Sequence, residues 1–354
     1  MNSAMVSGMA EHGGRIDFDA LASWMDGRGL SSGPIESVEA LAGGTQNVLL
    51  RFERGGETFV LRRGPWHLRP KSNEMMRREM RVLAALAGSD VPHPALIAAC
   101  PDESVIGGDA VFYLMEAVDG FNPTVSLPAL HLDDETVRHG MGLSAVDAIA
   151  ALGAVDHVAV GLDGLGRPEG FLERQVPQWL THLEGYDRFE GYPGLGFDAL
   201  DEVAGWLEAE RPKRSTPGIM HGDYHLANLL FRPDGPEVAA VVDWEMCTIG
   251  DPLLDLGWLL ATWPDDVEAG MTGPLAAAGG LPGRSELVAR YAERSDRDLS
   301  AVTWYEVLAC FKLGIVIEGT YARAHAGQAP MEIGELLHAT ALGLLARSLR
   351  RTAR

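Results

Sequence analysis

Residues 221–243 constrain this chain more than any other stretch. Two short apolar runs, Leu229-Leu-Phe231 and Val238-Ala-Ala-Val-Val242, flank Arg232-Pro-Asp-Gly-Pro-Glu237. The Asp234-Gly235 pair inside that linker is a dipeptide favoured by tight antiparallel turns. The midpoint between Asn228 and Asp243 falls between Gly235 and Pro236, so a hairpin closing there sets those two residues side by side at its open end. Asp223 lies just upstream. The amide of Asn228 and the carboxylate of Asp243 are hard oxygen donors, the kind that Mg²⁺ takes together with phosphate oxygens. Each residue alone has an ordinary reading, an Asp as a cap and an Asn as a turn residue. His221 and His225 read as local hydrogen-bonding partners rather than bases. The combination and its spacing are what point to chemistry.

The rest of the chain changes character near residue 117. Its 354 residues, 46% of them hydrophobic, can bury a substantial core and suggest two lobes. Asp19 is placed to cap a helix carrying Leu21, Trp24 and Met25, with Gly29 as its terminator. Apolar runs at 38–42, 48–52 and 58–62, separated by glycine-containing turns, predict a three-stranded antiparallel meander. Ser72 is a good N-cap for a helix whose Met76, Met80, Leu83 and Ala87 share one face. A further strand is expected at 111–115, followed by a connector containing Gly120, Pro123 and Pro128. Beyond it, 137–155, 173–183, 200–210, 285–293, 304–324 and 332–347 all carry helical periodicity. The expectation is an α+β chain: a β-rich part at 1–117 and a helical part at 118–354, the latter interrupted by the hairpin.

Charge and cysteine usage narrow the partners. A formal net charge of -21 argues against nucleic acid, which needs a basic face. Any phosphate ligand must therefore be met locally, by a metal or by backbone N–H groups. Cys100, Cys247 and Cys310 are too few and scattered for a disulfide framework or a cysteine zinc site, and a reducing cytoplasm is the simplest compartment. No membrane partner is expected, the nearest apolar stretch, 253–263, being short and broken by Asp255. The first fifteen residues hold no basic residue before Arg15 and no apolar run, unlike a secretory or transit signal.

Phosphoryl transfer from ATP asks a protein mainly for metal ligands, an aimed carboxylate and in-line positioning. Protein kinases supply these with an Asp five residues before an Asn, then a separate Asp on a nearby strand end. Asp223, Asn228 and Asp243 follow that spacing. Together, His221-Gly-Asp-Tyr-His-Leu-Ala-Asn228 and Val242-Asp-Trp-Glu-Met-Cys-Thr-Ile-Gly-Asp-Pro-Leu-Leu-Asp-Leu256 resemble the aminoglycoside phosphotransferase and choline kinase superfamily. Within it, they are most similar to the branch related to the kinase-like domain of some large acyl-CoA dehydrogenases. The resemblance runs from about Asp19 to the last helix. It implies a protein-kinase-like fold, with a small β-rich N-lobe, a larger helical C-lobe and ATP in the cleft between them. It also implies that Asp223 is the catalytic base or acceptor-orienting residue and that Asn228 and Asp243 hold Mg²⁺. His221, His225 and Asp251 would support the catalytic loop, with Asp255 sharing the bracing.

Under that resemblance, Gly43, Gly44, Thr45 and Asn47 fall where a phosphate-covering loop belongs, although two adjacent glycines between strands are often only a turn. Arg62 stands where a lysine normally meets the α- and β-phosphates, with Glu79 as its ion-pair partner. Arginine keeps that charge but not its shape. The backbone of Glu116 and Val118 would meet adenine. The acceptor pocket is expected from the helices after Glu173, with the region of Trp179, Trp258, Trp263, Trp304 and Tyr321 contributing, but aromatics at helical spacing are more often core and none of them is assigned a binding role. The function expected is transfer of the γ-phosphoryl group of ATP to the hydroxyl of a small molecule, with a metabolic hydroxy-acid or its CoA thioester as the acceptor class. The alternatives are an aminoglycoside-inactivating kinase and a nucleotide-binding pseudokinase.

Overall fold

The structure, a computed structural model, describes residues 16–41, 47–264 and 273–353. Two compact units emerge. One contains the residues up to Asp119 together with Val242–Glu245, the other Gly120–Val241 and Met246–Arg354.

The first unit is built on a five-stranded sheet. Its elements are α1 (Phe18–Asp26), β1 (Ile35–Ala40), β2 (Val48–Arg54), β3 (Glu57–Arg63), α2 (Ser72–Leu86), β4 (Leu96–Cys100) and β5 (Phe112–Glu116). The strand order is β1-β2-β3-β5-β4, every neighbouring pair antiparallel. The expected meander is β1-β2-β3. Gly55 and Gly56, at φ +56° and +81°, make its tight turn with a backbone that only glycine adopts cheaply. Side-chain alternation along β3 then divides the labour. Phe59 and Leu61 pack with Phe52, Phe112, Leu114 and the α1 residues Leu21 and Met25, while Arg62 bonds to Glu79 of α2.

Local corrections follow from hydrogen bonding. Asp17, not Asp19, caps α1, its Oδ1 accepting from Ala20 N at 2.8 Å, and the helix closes at Gly27 rather than Gly29. Ser72 is the first helical residue instead of the cap, and its Oγ accepts from Arg69 N at 2.9 Å in the preceding loop. Ala87 lies beyond α2 and is exposed, Leu86 taking the buried position.

The second unit is mostly helical: α3 (Ala129–Asp133), α4 (Glu135–Ala154), α5 (Gln175–Glu184), α6 (Leu200–Ala209), α7 (Leu253–Thr262), α8 (Pro274–Ala278), α9 (Arg284–Arg294), α10 (Val302–His325) and α11 (Met331–Thr352). Between them, β6 (Gly218–Met220) pairs with β9 (Thr248–Gly250), and β7 (Leu229–Phe231) with β8 (Val238–Val241). The latter is the expected hairpin, its first ladder pair being Leu229 with Val241. All ten residues of α7 are buried. At Gly257 a Cβ would run into the Tyr305 carbonyl of α10, so these two backbones touch where glycine stands. Among the described residues, no helix is long and apolar enough to cross a membrane.

Candidate active site

In the second unit, the loop from His221 to Asn228 connects β6 to β7 and is tied down along its length. The Asp255 carboxylate, from the first turn of α7, accepts His221 N at 2.6 Å and Gly222 N at 2.8 Å. Gly222 has φ +87°, and a Cβ there would strike the backbone of Met246. The wholly buried Tyr224 donates its hydroxyl to Ala145 O at 2.7 Å. Asn122 Nδ2 donates to Ala227 O at 2.7 Å.

Asp223 is held by side chains of its own loop. Asn228 Nδ2 donates to its carbonyl at 2.9 Å and to its Oδ2 at 3.1 Å. His225 Nδ1 accepts from Ala227 N at 3.2 Å, which assigns the ring proton to Nε2, 3.3 Å from Asp223 Oδ1. Burial pushes the Asp223 carboxyl up. The hydrogen bond and charge interaction with His225, the interaction with His221 and the Asn228 amide outweigh it, leaving a pKa of about 2. Asp223 is therefore an anion throughout the physiological range. The Asn228 amide nitrogen also lies 3.4 Å from His225 Nε2, and Asn228 Oδ1 accepts no hydrogen bond from any described residue. His221 Nδ1 accepts from Asp223 N at 3.4 Å, so both histidines shape the loop as expected from their local bonds. Asp251 does not bond that loop. Its Oδ2 accepts from Tyr305 Oη at 2.6 Å and its Oδ1 from Leu253 N at 3.1 Å, joining the start of α7 to α10. Of the two aspartates, Asp255, one helical turn later, is the one whose carboxylate bonds the loop among the described residues.

In the first unit, Arg62 grips Glu79 with both arms, Nε to Oε2 at 2.9 Å and Nη2 to Oε1 at 3.0 Å, and its Nη2 also reaches Asp243 Oδ1 at 2.8 Å. Tyr113 Oη donates to Glu79 Oε2 at 2.9 Å. Burial lowers the Arg62 pKa, but Glu79, Tyr113 and Asp243 more than compensate and raise it overall. Burial raises that of Glu79 despite Arg62. Glu245 completes a carboxylate group with Glu79 and Asp243, their ligand oxygens all within 4.8 Å of one another. Burial, then Asp243 and Glu79, push the Glu245 carboxyl up. Asp243 sits at φ +68°, in the left-handed region that Asp tolerates better than most residues. Its Oδ2 has no partner among the described residues.

The other residues expected at the nucleotide divide. Gly43, Gly44 and Thr45 lie outside the described residues. Asn47 Nδ2 donates to Glu245 Oε2 at 3.1 Å. The Glu116 N–H is committed to Ala95 O at 2.9 Å, and Val118 is half-buried past the end of β5. Sequence reasoning gave no role to Tyr113, Glu245, Asn122 or Lys312. Tyr113 pairs directly with Arg62 across β5 and β3, a relation visible only once the register is known.

The profile of the phosphotransferase enzyme family (APH) matches residues 37–291. Human acyl-CoA dehydrogenase family member 11 is 30% identical over 287 residues, covering 79% of this chain and 35% of that protein. Mouse acyl-CoA dehydrogenase family member 10 is 28% identical over 326 residues, covering 89% of this chain and 29% of that protein. The chain thus spans about a third of the length of these relatives. Among solved structures, a putative aminoglycoside phosphotransferase from Ralstonia eutropha superposes with a TM-score of 0.78 at 30% identity, over 95% of this chain and 99% of that one. A thermostable mutant of aminoglycoside phosphotransferase APH(4)-Ia, in a ternary complex with ADP and hygromycin B, superposes with a TM-score of 0.58 at 15% identity, over 95% of this chain and 99% of that one. At that identity, the match speaks for the fold alone. The architecture is the α+β, protein-kinase-like one of these phosphotransferases. With the family profile spanning well over half of its residues, the chain belongs to the phosphotransferase enzyme family.

Proposed function

We propose that this protein is an ATP- and Mg²⁺-dependent kinase that transfers the γ-phosphoryl group to a hydroxyl of a small molecule, with Asp223 facing that hydroxyl. The observation that carries the reading is the Asp223 carboxylate, kept ionised and oriented by His225 and Asn228. In the step, the acceptor oxygen forms a bond to the γ-phosphorus. The bond from that phosphorus to the β–γ bridging oxygen breaks, and ADP leaves with the electron pair. The hydroxyl proton passes to Asp223 and on to solvent. A carboxylate with a pKa of about 2 is a weak base. That suits a loose transition state in which the proton moves late, so Asp223 works first by orienting the hydroxyl.

Asn228 Oδ1 and the unengaged Asp243 Oδ2 are hard donors that fit Mg²⁺, and we assign the metal to them. When bound, the ion neutralises charge on the phosphates. Arg62, fixed by Glu79, would share its Nη2 with the α- and β-phosphates. Gly43, Gly44, Thr45 and Asn47 would cover them, and the backbone of Glu116 and Val118 would meet adenine. Nucleotide use is supported by the ADP and AMP-PNP in the APH(4)-Ia complexes. The acyl-CoA dehydrogenase names of the relatives favour a metabolic hydroxy-acid or its CoA thioester as acceptor, whereas the names of the solved structures favour an aminoglycoside. The full engagement of Arg62 with carboxylates is what favours a pseudokinase as a second reading.

The test is turnover of Mg·ATP against a panel of hydroxy-acids, their CoA thioesters and kanamycin, with wild type and Asp223→Asn. Equal turnover in the two proteins removes Asp223 from the mechanism. Efficient use of kanamycin reverses the acceptor ranking. Nucleotide binding with no transfer to any acceptor selects the pseudokinase.

A further inference from the structure

Lys312, on α10, is 8% exposed. Its Nζ lies 4.6 Å from the centroid of the Trp258 ring and 5.3 Å from that of Trp179. It makes no hydrogen bond or ion pair to any described residue. That is unusual in this molecule, where the equally buried Arg54, Arg62 and Arg138 make three hydrogen bonds each. Taking an ammonium out of water without a partner is costly, and the faces of two indoles recover only part of that cost. The N–H of Trp258 is fully buried and has no acceptor, while the Lys312 side chain keeps a small solvent exposure. Unmet donors of this kind mark a place where an acceptor oxygen is missing. Trp258 stands one helical turn beyond Asp255, the carboxylate that accepts His221 N and Gly222 N, so Lys312 approaches that loop across α7; burial lowers its pKa, opposed by Asp255 and then Asp223.

We propose that Lys312 is the acceptor anchor: its ammonium, between Trp179 and Trp258, binds a carboxylate or phosphate of the acceptor and thereby presents a hydroxyl of the same molecule to Asp223. This rests on the phosphotransferase reading above and narrows it to hydroxyl-bearing anions. The half-buried face of Trp179 packs against the carbon skeleton between the two groups. A polycationic acceptor would bring like charge against Lys312 and is selected against. The competing account makes Lys312 no more than a counter-charge for Asp255.

The test is steady-state kinetics on short hydroxycarboxylates, their uncharged primary amides, hydroxyalkyl phosphates and kanamycin, with wild type, Lys312→Met and Lys312→Arg. Binding of each compound is followed in parallel by tryptophan fluorescence. Wild type is expected to bind and use the anions with a KM about tenfold or more below that of the amides, the usual weight of a charge-assisted hydrogen bond. The carboxylate and phosphate arms show which anion fits. Lys312→Met should erase the preference through KM, and Lys312→Arg should restore part of it. Equal treatment of anion and amide by wild type overturns the proposal. So does a Lys312→Met variant that loses kcat equally on every acceptor at unchanged KM, the signature of a counter-charge. Failure of every anion to perturb the tryptophans overturns it as well. Acceptor-independent ATP hydrolysis in wild type and Asp223→Asn tests the phosphotransferase reading separately.

Discussion

Arg62 and Lys312 are both cations drawn out of water, and the protein treats them in opposite ways. Arg62 is locked by three charge-assisted hydrogen bonds to Glu79 and Asp243, with Tyr113 closing the cluster. Lys312 is left between two indoles with its donors unspent. The carboxylates differ in the same sense. Glu79 is matched by a full opposite charge, whereas Asp223 is held by an imidazole and an amide, and Asp255 by two backbone N–H groups with Lys312 at longer range. A full counter-charge makes a finished scaffold. Hydrogen bonds from an imidazole, an amide or backbone N–H groups fix a group in place without a guanidinium locked on it, which leaves it available to a reacting molecule, as preorganised sites require.

The comparison can be broken most directly at Asp223. Asp223→Asn should lower kcat for phosphoryl transfer by about 10²–10⁴-fold in a coupled ADP-release assay, with the variant still folded cooperatively at the assay temperature. Retained activity would place the reactive carboxylate elsewhere. Next comes Glu79→Ala, which removes two of the three hydrogen bonds of the buried Arg62, leaves it only Asp243, and should cost about 3–5 kcal/mol in urea unfolding. Adding Arg62→Met should recover a good part of that loss. Lys312→Met, by contrast, removes a buried charge that has no direct partner and should leave stability unchanged or raised. A loss as large as that of Glu79→Ala would show that the two cations are not different after all.

A smaller effect lies in the pH dependence of folding. Burial pushes Asp255 up to about 7, opposed by its two backbone N–H donors and by Lys312. The folded state then holds a proton that the unfolded chain has released, so stability falls as pH rises from about 4 to about 7. Asp223 runs the other way: its contribution is present above the ordinary carboxylate range and is lost as pH falls through about 2. Fluorescence-monitored unfolding across pH should show the first slope flattened in Asp255→Asn and the acid limb flattened in Asp223→Asn. The smallest effect is expected at the exposed Arg77–Glu103 pair, where Arg77→Ala should change stability by less than about 1 kcal/mol.

What could be read from the sequence followed the range of the interaction. The β2–β3 turn, the hairpin on Asp234-Gly235 and the six long helices are written in neighbouring residues, and their positions were legible to within a few residues. Strand β4 was not, because Leu96–Cys100 is an edge strand whose burial does not alternate cleanly. Nor was α7, since a helix buried on every side has no polar face to give its period away. At the site, the members of one loop, Asp223, His225 and Asn228, could be grouped from spacing alone, and the Arg62–Glu79 pair from the strand–helix order. Lys312 could not be connected to anything in advance. It lies 89 residues from Asp223 (312 minus 223) in an apolar helical run where a lone lysine reads as a solvated side chain. That Asp255 bonds the loop while Asp251, expected to share in it, turns to Tyr305 and Leu253 depended on which carboxylate the start of α7 pointed towards the loop, a matter of helix phase.

The missing side chain at Gly257 ties these themes together. Asp255, which holds the loop from His221 to Asn228, rides on α7, and Lys312 rides on α10. The closeness of those two helices is granted by one absent methyl group. The gap between carboxylate and ammonium is thus gauged by main chain resting on main chain, a stop far stiffer than any pair of flexible side chains. The active loop inherits its tolerance from the least chemically distinctive residue in its surroundings.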